Sequence, residues 1–188
     1  LVEHFKDIPR FEVVSKTERN NKYFSDFIPE DSIHYDYDMN LLPSLFTRQD
    51  YLIEKYGNQD PRTHLVLILD DCLCDKKIWK SSEIAELLMN GRHRNITFIF
   101  TLQYLIGISP ELRTNIDFVF IYAQEANLDK KKIFDNYAGM FDNLQQFKKE
   151  SKEFDRYTHT RIGNSNRRKL QSIWKVYRIN LYCNFWWR

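Results

Sequence analysis

His64-Leu65-Val66-Leu67-Ile68-Leu69-Asp70-Asp71 is the stretch whose reading decides the fold. Five consecutive aliphatic residues close on two carboxylates. An unbroken apolar run this short reads as a strand buried on both faces, in contrast to the alternation of a half-exposed one. Strands of that kind belong to parallel sheets covered by helices, and open α/β sheets bind their ligands beyond the carboxyl ends of the strands. The run therefore delivers Asp70 and Asp71 to a ligand-binding edge. In phosphate-handling folds one acid at such an edge holds Mg²⁺ and another positions a water. Alternation along a strand would send the two side chains in different directions. The plain alternative is an acid that caps the next helix or sits in solvent.

Working outward, Leu1 to Ile8 reads as the last turns of a helix closed by Pro9, Phe11-Glu12-Val13-Val14 as a strand, and Ser15 to Asn20 as a polar loop. Leu42, Leu45, Phe46, Leu52, Ile53 and Tyr56 recur at helical spacing, with Gly57 at the stop. Downstream, Ser81 or Ser82 is placed to cap a helix carrying Ile84, Leu87 and Leu88 that ends at Asn90-Gly91. Ile96 to Thr101 and Phe118 to Tyr122 read as further strands. Asp129 is expected to cap a helix bearing Ile133, Phe134 and Tyr137 and ended by Gly139, and Phe141, Leu144 and Phe147 form one more helical stretch. Around Ile173 to Ile179 there is a weak strand or helix. Strands alternating with helices predict an α/β fold with a mostly parallel sheet.

The 188 residues are enough for one sizeable core, and 43% hydrophobic with 29% charged residues excludes a disordered chain. No apolar run approaches the roughly 20 residues of a membrane span, and the first residues carry no signal-peptide pattern. Three cysteines, Cys72, Cys74 and Cys183, make no disulfide framework, which points to a reducing, intracellular setting. Cys72 and Cys74 are too closely spaced for a structural zinc site and read as buried thiols. The five histidines show no ligand spacing, and Asp36 and Asp38 read as surface.

A net charge of +2 conceals an asymmetry. No acid follows Asp155, while Arg156, Arg161, Arg167, Arg168, Lys169, Lys175, Arg178 and Arg188 do, interleaved with Trp174, Tyr177, Phe185, Trp186 and Trp187. Such a segment either grips phosphates and stacks on bases or packs its rings and solvates its charges. It divides the chain into a core, residues 1–150, and a basic aromatic tail, residues 151–188.

Two further features bear on chemistry. Asn90-Gly91-Arg92-His93-Arg94-Asn95 precedes the third strand, so a tight loop displays guanidiniums that can meet a phosphate bound on a neighbouring subunit. Thr101-Leu102-Gln103 closes that strand with an amide able to touch a phosphate oxygen and hold a water. Each alone has a bland reading, a solvated turn and a strand-end amide.

Together, Leu-Val-Leu-Ile-Leu-Asp-Asp-Cys-Leu, Gly-Arg-His-Arg-Asn-Ile-Thr and Thr-Leu-Gln in that order resemble the genome-packaging ATPases of large nucleocytoplasmic DNA viruses. That family includes the poxvirus packaging ATPase and belongs to the FtsK–HerA group of ring-forming DNA pumps. Ser15-Lys16-Thr17-Glu18 resembles the Ser-Pro-Thr-Glu loop after the family's second strand, and Tyr137-Ala138-Gly139-Met140-Phe141 the segment after its last core strand. The likeness covers Leu1 to about Phe147.

The resemblance implies a P-loop NTPase core that binds ATP and Mg²⁺, assembles as a homo-oligomeric ring, and moves double-stranded DNA into the viral capsid, in the virion or in a cytoplasmic viral factory. It implies that Asp70 is the Walker B acid on Mg²⁺. Asp71 takes the place of the Glu that usually primes water, Arg92 is the arginine finger with Arg94 as the weaker alternative, and Gln103 is the sensor. Arg113 is a further phosphate sensor on the same basis.

The sequence departs from the family's pattern in two places. No G-x-x-x-x-G-K-[ST] occurs; the glycines are Gly57, Gly91, Gly107, Gly139 and Gly163. Without that loop the β- and γ-phosphates lack their N–H cradle and Lys. Because the chain opens on Leu1, and Leu1 to Ile8 resembles the tail of the helix after such a loop, the motif and the first strand are expected upstream. These 188 residues alone are then expected to bind nucleotide poorly. Beyond Phe147 the family's next strand and Trp-Tyr-Lys segment have little counterpart, and DNA binding is not assigned to the tail. The competing reading is a non-catalytic nucleic-acid-binding or capsid-associated module that keeps the fold without the phosphate loop. A metal-dependent nuclease on Asp70 and Asp71 ranks last, for want of further acids at suitable spacing.

Overall fold

Strand β3, Leu65–Asp70, is buried at all six positions, as the unbroken apolar run requires. The structure is a computed structural model that describes residues 8–72, 76–102, 108–121, 127–137, 142–149 and 179–183. On one side β3 pairs in parallel with β1, Arg10–Ser15, in register from Arg10 opposite Leu65 to Ser15 opposite Asp70. On the other it pairs in parallel with β4, Ile96–Leu102, from Leu65 opposite Ile96 to Leu69 opposite Phe100. The short β2, Ile33–His34, joins the outer side of β1, also in parallel. These four strands form an all-parallel sheet flanked by helices, the architecture of a P-loop NTPase-like core. With β5, Phe118–Ile121, and β6, Ile179–Cys183, the strand order is β2-β1-β3-β4-β6-β5.

Because parallel partners share a face, the register sorts the core into two layers. Val13, Val66, Ile68 and Ile99 cluster with Ile28 and Ile33, and Phe11, Phe24 and Tyr35 pack against them. The opposite face carries Leu65, Leu67, Leu69, Phe98 and Phe100, none of them measurably exposed. There Phe98 stacks on Phe100, and Trp79 of the short helix α3, Lys76–Trp79, meets Phe100 edge-on. (The helical turn α1, Glu18–Asn21, follows β1.) Helix α2, Leu41–Tyr56, buries Leu42, Leu45 and Gln49. It stops at Gly57, whose φ of +88° is a backbone conformation that side chains oppose. Helix α4, Ser82–Asn90, is capped by the Ser81 hydroxyl, which accepts the Ile84 N–H, and buries Ile84, Leu87 and Leu88.

Two compact units make up the chain: Leu1–Val119 with Asn180–Arg188, and Phe120–Ile179. In the second, α6, Asn127–Tyr137, buries Ile133, and the rings of Phe134 and Phe147 lie 6.1 Å apart. Among the described residues no helix is long and apolar enough to cross a membrane.

Two local expectations need correction. Ser15 is the last residue of β1, and Glu18–Asn21 is helical, so the stretch from Ser15 to Asn20 is not a simple polar loop. The cause is Glu18, which is buried and accepts the backbone N–H groups of Tyr23, Phe24 and Ser25, folding the chain around its carboxylate. Asp129 lies inside the first turn of α6 instead of capping it, where it favours the helix dipole and reaches Lys132. Of the weak strand or helix read around Ile173 to Ile179, only Ile179 lies in the described residues, as the first residue of β6. Residues 1–7 of the helical end read at Leu1 to Ile8, and nearly all of the tail, lie outside the described residues.

Candidate functional site

The last residues of three neighbouring strands on one face of the sheet are Ser15, Asp70 and Thr101. Apolar residues carry that face from Val13, Ile68 and Ile99 up to its carboxyl edge, where polar groups replace them abruptly. All three are buried, Asp70 at 5% exposure. The Ser15 hydroxyl donates to Asp70 Oδ2 at 2.9 Å and the Thr101 hydroxyl donates to Oδ1 at 2.9 Å. Thr17 Oγ1 lies 3.5 Å from Oδ2 and 3.1 Å from Ser15 Oγ. A carboxylate taken this far out of water needs hydrogen bonds to each oxygen, and neighbouring strands supply them here.

Asp71 is where the strand stops. Its φ is +53°, in the left-handed region that Asp adopts more readily than most residues. Its N–H donates to Thr101 Oγ1 at 2.9 Å. The backbone thus turns directly after Asp70, and Asp71 lies past the end of β3, where strand alternation no longer applies. Close by, Cys72 is buried. The Tyr37 phenol is pushed up to about 12, by burial first and then by the charges of Cys72, Glu83 and Asp38.

The basic loop lies at the other end of the sheet. Gly91–Arg94 forms a 3₁₀ turn, and Asn95, at φ +54°, leads into β4 while its carbonyl accepts the Leu65 N–H at the start of β3. Arg92 is therefore separated from Asp70 by the length of β3, roughly 17 Å at about 3.3 Å per residue. Within one chain the two do not share a site. The loop's two arginines are also unlike. Arg94 donates to Glu86 at 2.6 Å and to Asp50 at 2.9 Å, and lies over the Phe46 ring. The Glu86 hydrogen bond raises the Arg94 pKa, while those from Arg94 and Asn90 hold the Glu86 carboxyl below its usual range. Arg92 and His93 are exposed. Beneath the loop, the buried Gln49 amide donates to the carbonyls of Thr63 and Arg94.

Asp70, Asp71 and the end of β4 are thus brought together, and Arg92 is not among them. Gln103 lies outside the described residues, one position past the end of β4. Arg113 ends the short helix α5, Pro110–Arg113. Sequence reasoning missed the hydroxyl set of Ser15, Thr17 and Thr101. The available signal was a polar residue closing each apolar strand, legible once the strands were aligned in register.

The donors at the carboxyl edge are hard oxygens, one carboxylate among hydroxyls. Among the described residues no group of three His, Cys, Asp or Glu side chains could hold a metal by itself. That set fits Mg²⁺, which is bound through one or two carboxylates together with substrate phosphates.

A family model described as the poxvirus A32 protein matches residues 1–149. The chain belongs to that family. Its relatives are proteins of nucleocytoplasmic large DNA viruses, and the family is one of packaging ATPases. An uncharacterized protein of Acanthamoeba polyphaga mimivirus, L437, is 38% identical over 154 residues, covering 78% of this chain and 54% of that protein. Protein 075L of Invertebrate iridescent virus 6 is 40% identical over 141 residues, covering 75% and 54%. Protein 088R of Invertebrate iridescent virus 3 is 33% identical over 158 residues, covering 84% and 59%. The chain spans about half the length of the relatives it matches. No solved structure matches it significantly.

Proposed function

We propose that the chain is the major part of a P-loop ATPase of the FtsK–HerA group, a ring-forming motor that moves double-stranded viral DNA into a capsid. Packaging would place it in the virion or in a cytoplasmic viral factory. The observation that carries the reading is the Asp70 carboxylate, buried at the carboxyl edge of a parallel sheet and hydrogen-bonded from both neighbouring strands. Family membership supports a nucleotide as substrate and DNA as cargo.

In this reading Asp70 holds Mg²⁺, which neutralises charge on the β- and γ-phosphates when bound. Asp71 orients the water for in-line attack on the γ-phosphate, and Gln103 senses the phosphate from the end of β4. Arg92 stabilises the charge that develops on the transferred group of a neighbouring subunit. Its exposure, and its position a full strand length from Asp70 of its own chain, favour action in trans. Arg94, held by two acids and a ring, is a poor finger. A site completed by the opposite end of a neighbour needs head-to-tail contacts, which form a ring where the rotation between subunits closes. The phosphate loop would come from sequence outside these 188 residues, and ATP binding by the 188 residues alone would be weak.

The test is Asp71→Ala in the full-length protein. Hydrolysis should fall at least about 100-fold, the lower end of what one catalytic group contributes, while duplex DNA binding persists. Absence of ATP hydrolysis by the unmodified full-length protein would sink the motor and leave the non-catalytic module.

A further inference from the structure

Thr101 stands between the two carboxylates and touches the groups that set both. Its single hydroxyl proton goes to Asp70 Oδ1, and its oxygen accepts the Asp71 N–H, each at 2.9 Å. These bonds depend on each other. An oxygen already receiving an N–H is turned so that its own proton meets an acceptor, and the buried carboxylate is the acceptor in reach. The first bond, with Ser15 holding the other oxygen, sets the plane of the Asp70 carboxylate. The second secures the φ of +53° at Asp71, a backbone state that is strained for a residue with a side chain and persists where surroundings over-determine it.

We propose that Thr101 is the positioning residue of the site: its one hydroxyl orients the metal-binding carboxylate of Asp70 and fixes the turn that sets Asp71. The proposal rests on the roles given to Asp70 and Asp71 above. It makes the end of β4 part of the machinery independently of Gln103. Any shift of β4 against β3 would disturb both acids through the same atom. A methyl in place of the hydroxyl deletes both hydrogen bonds and keeps the volume. The pair Thr101→Val and Thr101→Ser therefore separates hydrogen bonding from packing.

The experiment uses the full-length protein and two readouts: Mn²⁺ titration followed by electron paramagnetic resonance, and steady-state ATP hydrolysis. Thr101→Val should weaken Mn²⁺ binding by about 10- to 100-fold, the range for groups that orient a metal ligand. It should lower kcat to a similar extent, with KM for ATP changed less than about threefold. Thr101→Ser should restore both to near the unmodified values. Mn²⁺ binding by Thr101→Val equal to the unmodified protein's, or a Ser variant as impaired as Val, would overturn the proposal. So would a protein that binds no Mn²⁺ before mutation. If Val prevents folding, Thr101→Ala carries the same comparison. A protein without ATP hydrolysis whose Mn²⁺ binding still depends on the hydroxyl would sink the ATPase reading alone. Normal hydrolysis by the Val variant would sink this inference alone.

Discussion

The two ends of the parallel sheet hold their polar residues in opposite ways. At the carboxyl edge a buried carboxylate, Asp70, is gripped by hydroxyls from strands on either side, and the chain turns through a left-handed residue directly after it. At the amino edge the same kind of over-determination falls on Arg94, which is engaged by Glu86, Asp50 and the Phe46 ring, while Arg92 two residues away is exposed. A fixed acid suits a group that must hold a cation in one geometry, since a misplacement of an ångström is costly at a reacting centre. A fixed arginine anchors its loop. An exposed one is available to a surface that is not yet there. In the proposed motor the two edges are halves of one site, and the strand length between them would put those halves on different subunits.

That comparison breaks most sharply in a subunit-mixing experiment. Arg92→Ala should lower ATP hydrolysis by about 1000-fold, at the low end of what an arginine finger contributes, while leaving the melting temperature unchanged. Asp71→Ala should be inactive for the opposite reason. Mixed, the two dead proteins should regain a fraction of the unmodified rate, because Arg92 of an Asp71→Ala subunit can serve the intact carboxylates of an Arg92→Ala neighbour. No recovery on mixing, with rings shown to contain both variants, would mean that the two edges do not complete each other.

A smaller effect tests the anchoring of the amino edge. Gln49 is fully buried in α2, and its amide ties the carbonyls of Thr63, before β3, and Arg94, before β4. Gln49→Leu is close in size and removes both bonds, together with the one that the Gln49 side-chain oxygen accepts from Arg48, leaving the two carbonyls short of a donor. The expected loss is about 2 kcal/mol, within the range for unsatisfied buried groups, read by urea denaturation. A loss below about 0.5 kcal/mol would show that the loop is held without Gln49, by the Arg94 ion pairs and the Asn95 hydrogen bonds. Because Arg92 projects from the same loop, the variant should also slow hydrolysis, by less than Arg92→Ala does.

How much of this was legible beforehand differs between the edges. The aliphatic run at Leu65 to Leu69 announced a doubly buried parallel strand, and its neighbours at Phe11 to Val14 and Ile96 to Thr101 carried enough β-branched and aromatic residues to be placed almost to the residue. Helix α4 was bounded by its Ser81 cap. The Asp70 site was visible only as an acid at a strand end. The hydroxyls that hold it come from residues 55 positions before and 31 after, and which residues face each other across strands depends on register. At the amino edge, Arg92 and Arg94 were near equivalents by spacing. Glu86, Asp50 and Phe46 separate them through contacts set by how α2 and α4 lie beside the loop, and the pattern of single elements does not contain that. The turn at Asp71 was missed for a related reason: Asp tolerates a positive φ, so no glycine marked it.

The smallest expected effect concerns the Arg94 anchor and acid. Glu86 is held below its usual range chiefly by the Arg94 hydrogen bond and then by Asn90. A carboxyl whose pKa is lowered on folding contributes stability that is fully present above its unfolded value, about 4.5, and is lost as the pH falls through the lower folded value. Both partners are partly solvated, so screening keeps the contribution modest. Glu86→Gln should therefore melt slightly below the unmodified protein at pH 7, and the gap should close as the pH drops below about 4.5. Added salt should narrow it at neutral pH. A gap that persists unchanged in acid would mean that Glu86 holds the loop through shape and Asn90, without its charge. Arg94 would then owe its fixed position to Asp50 and the Phe46 ring, and the contrast with Arg92 would rest on packing alone.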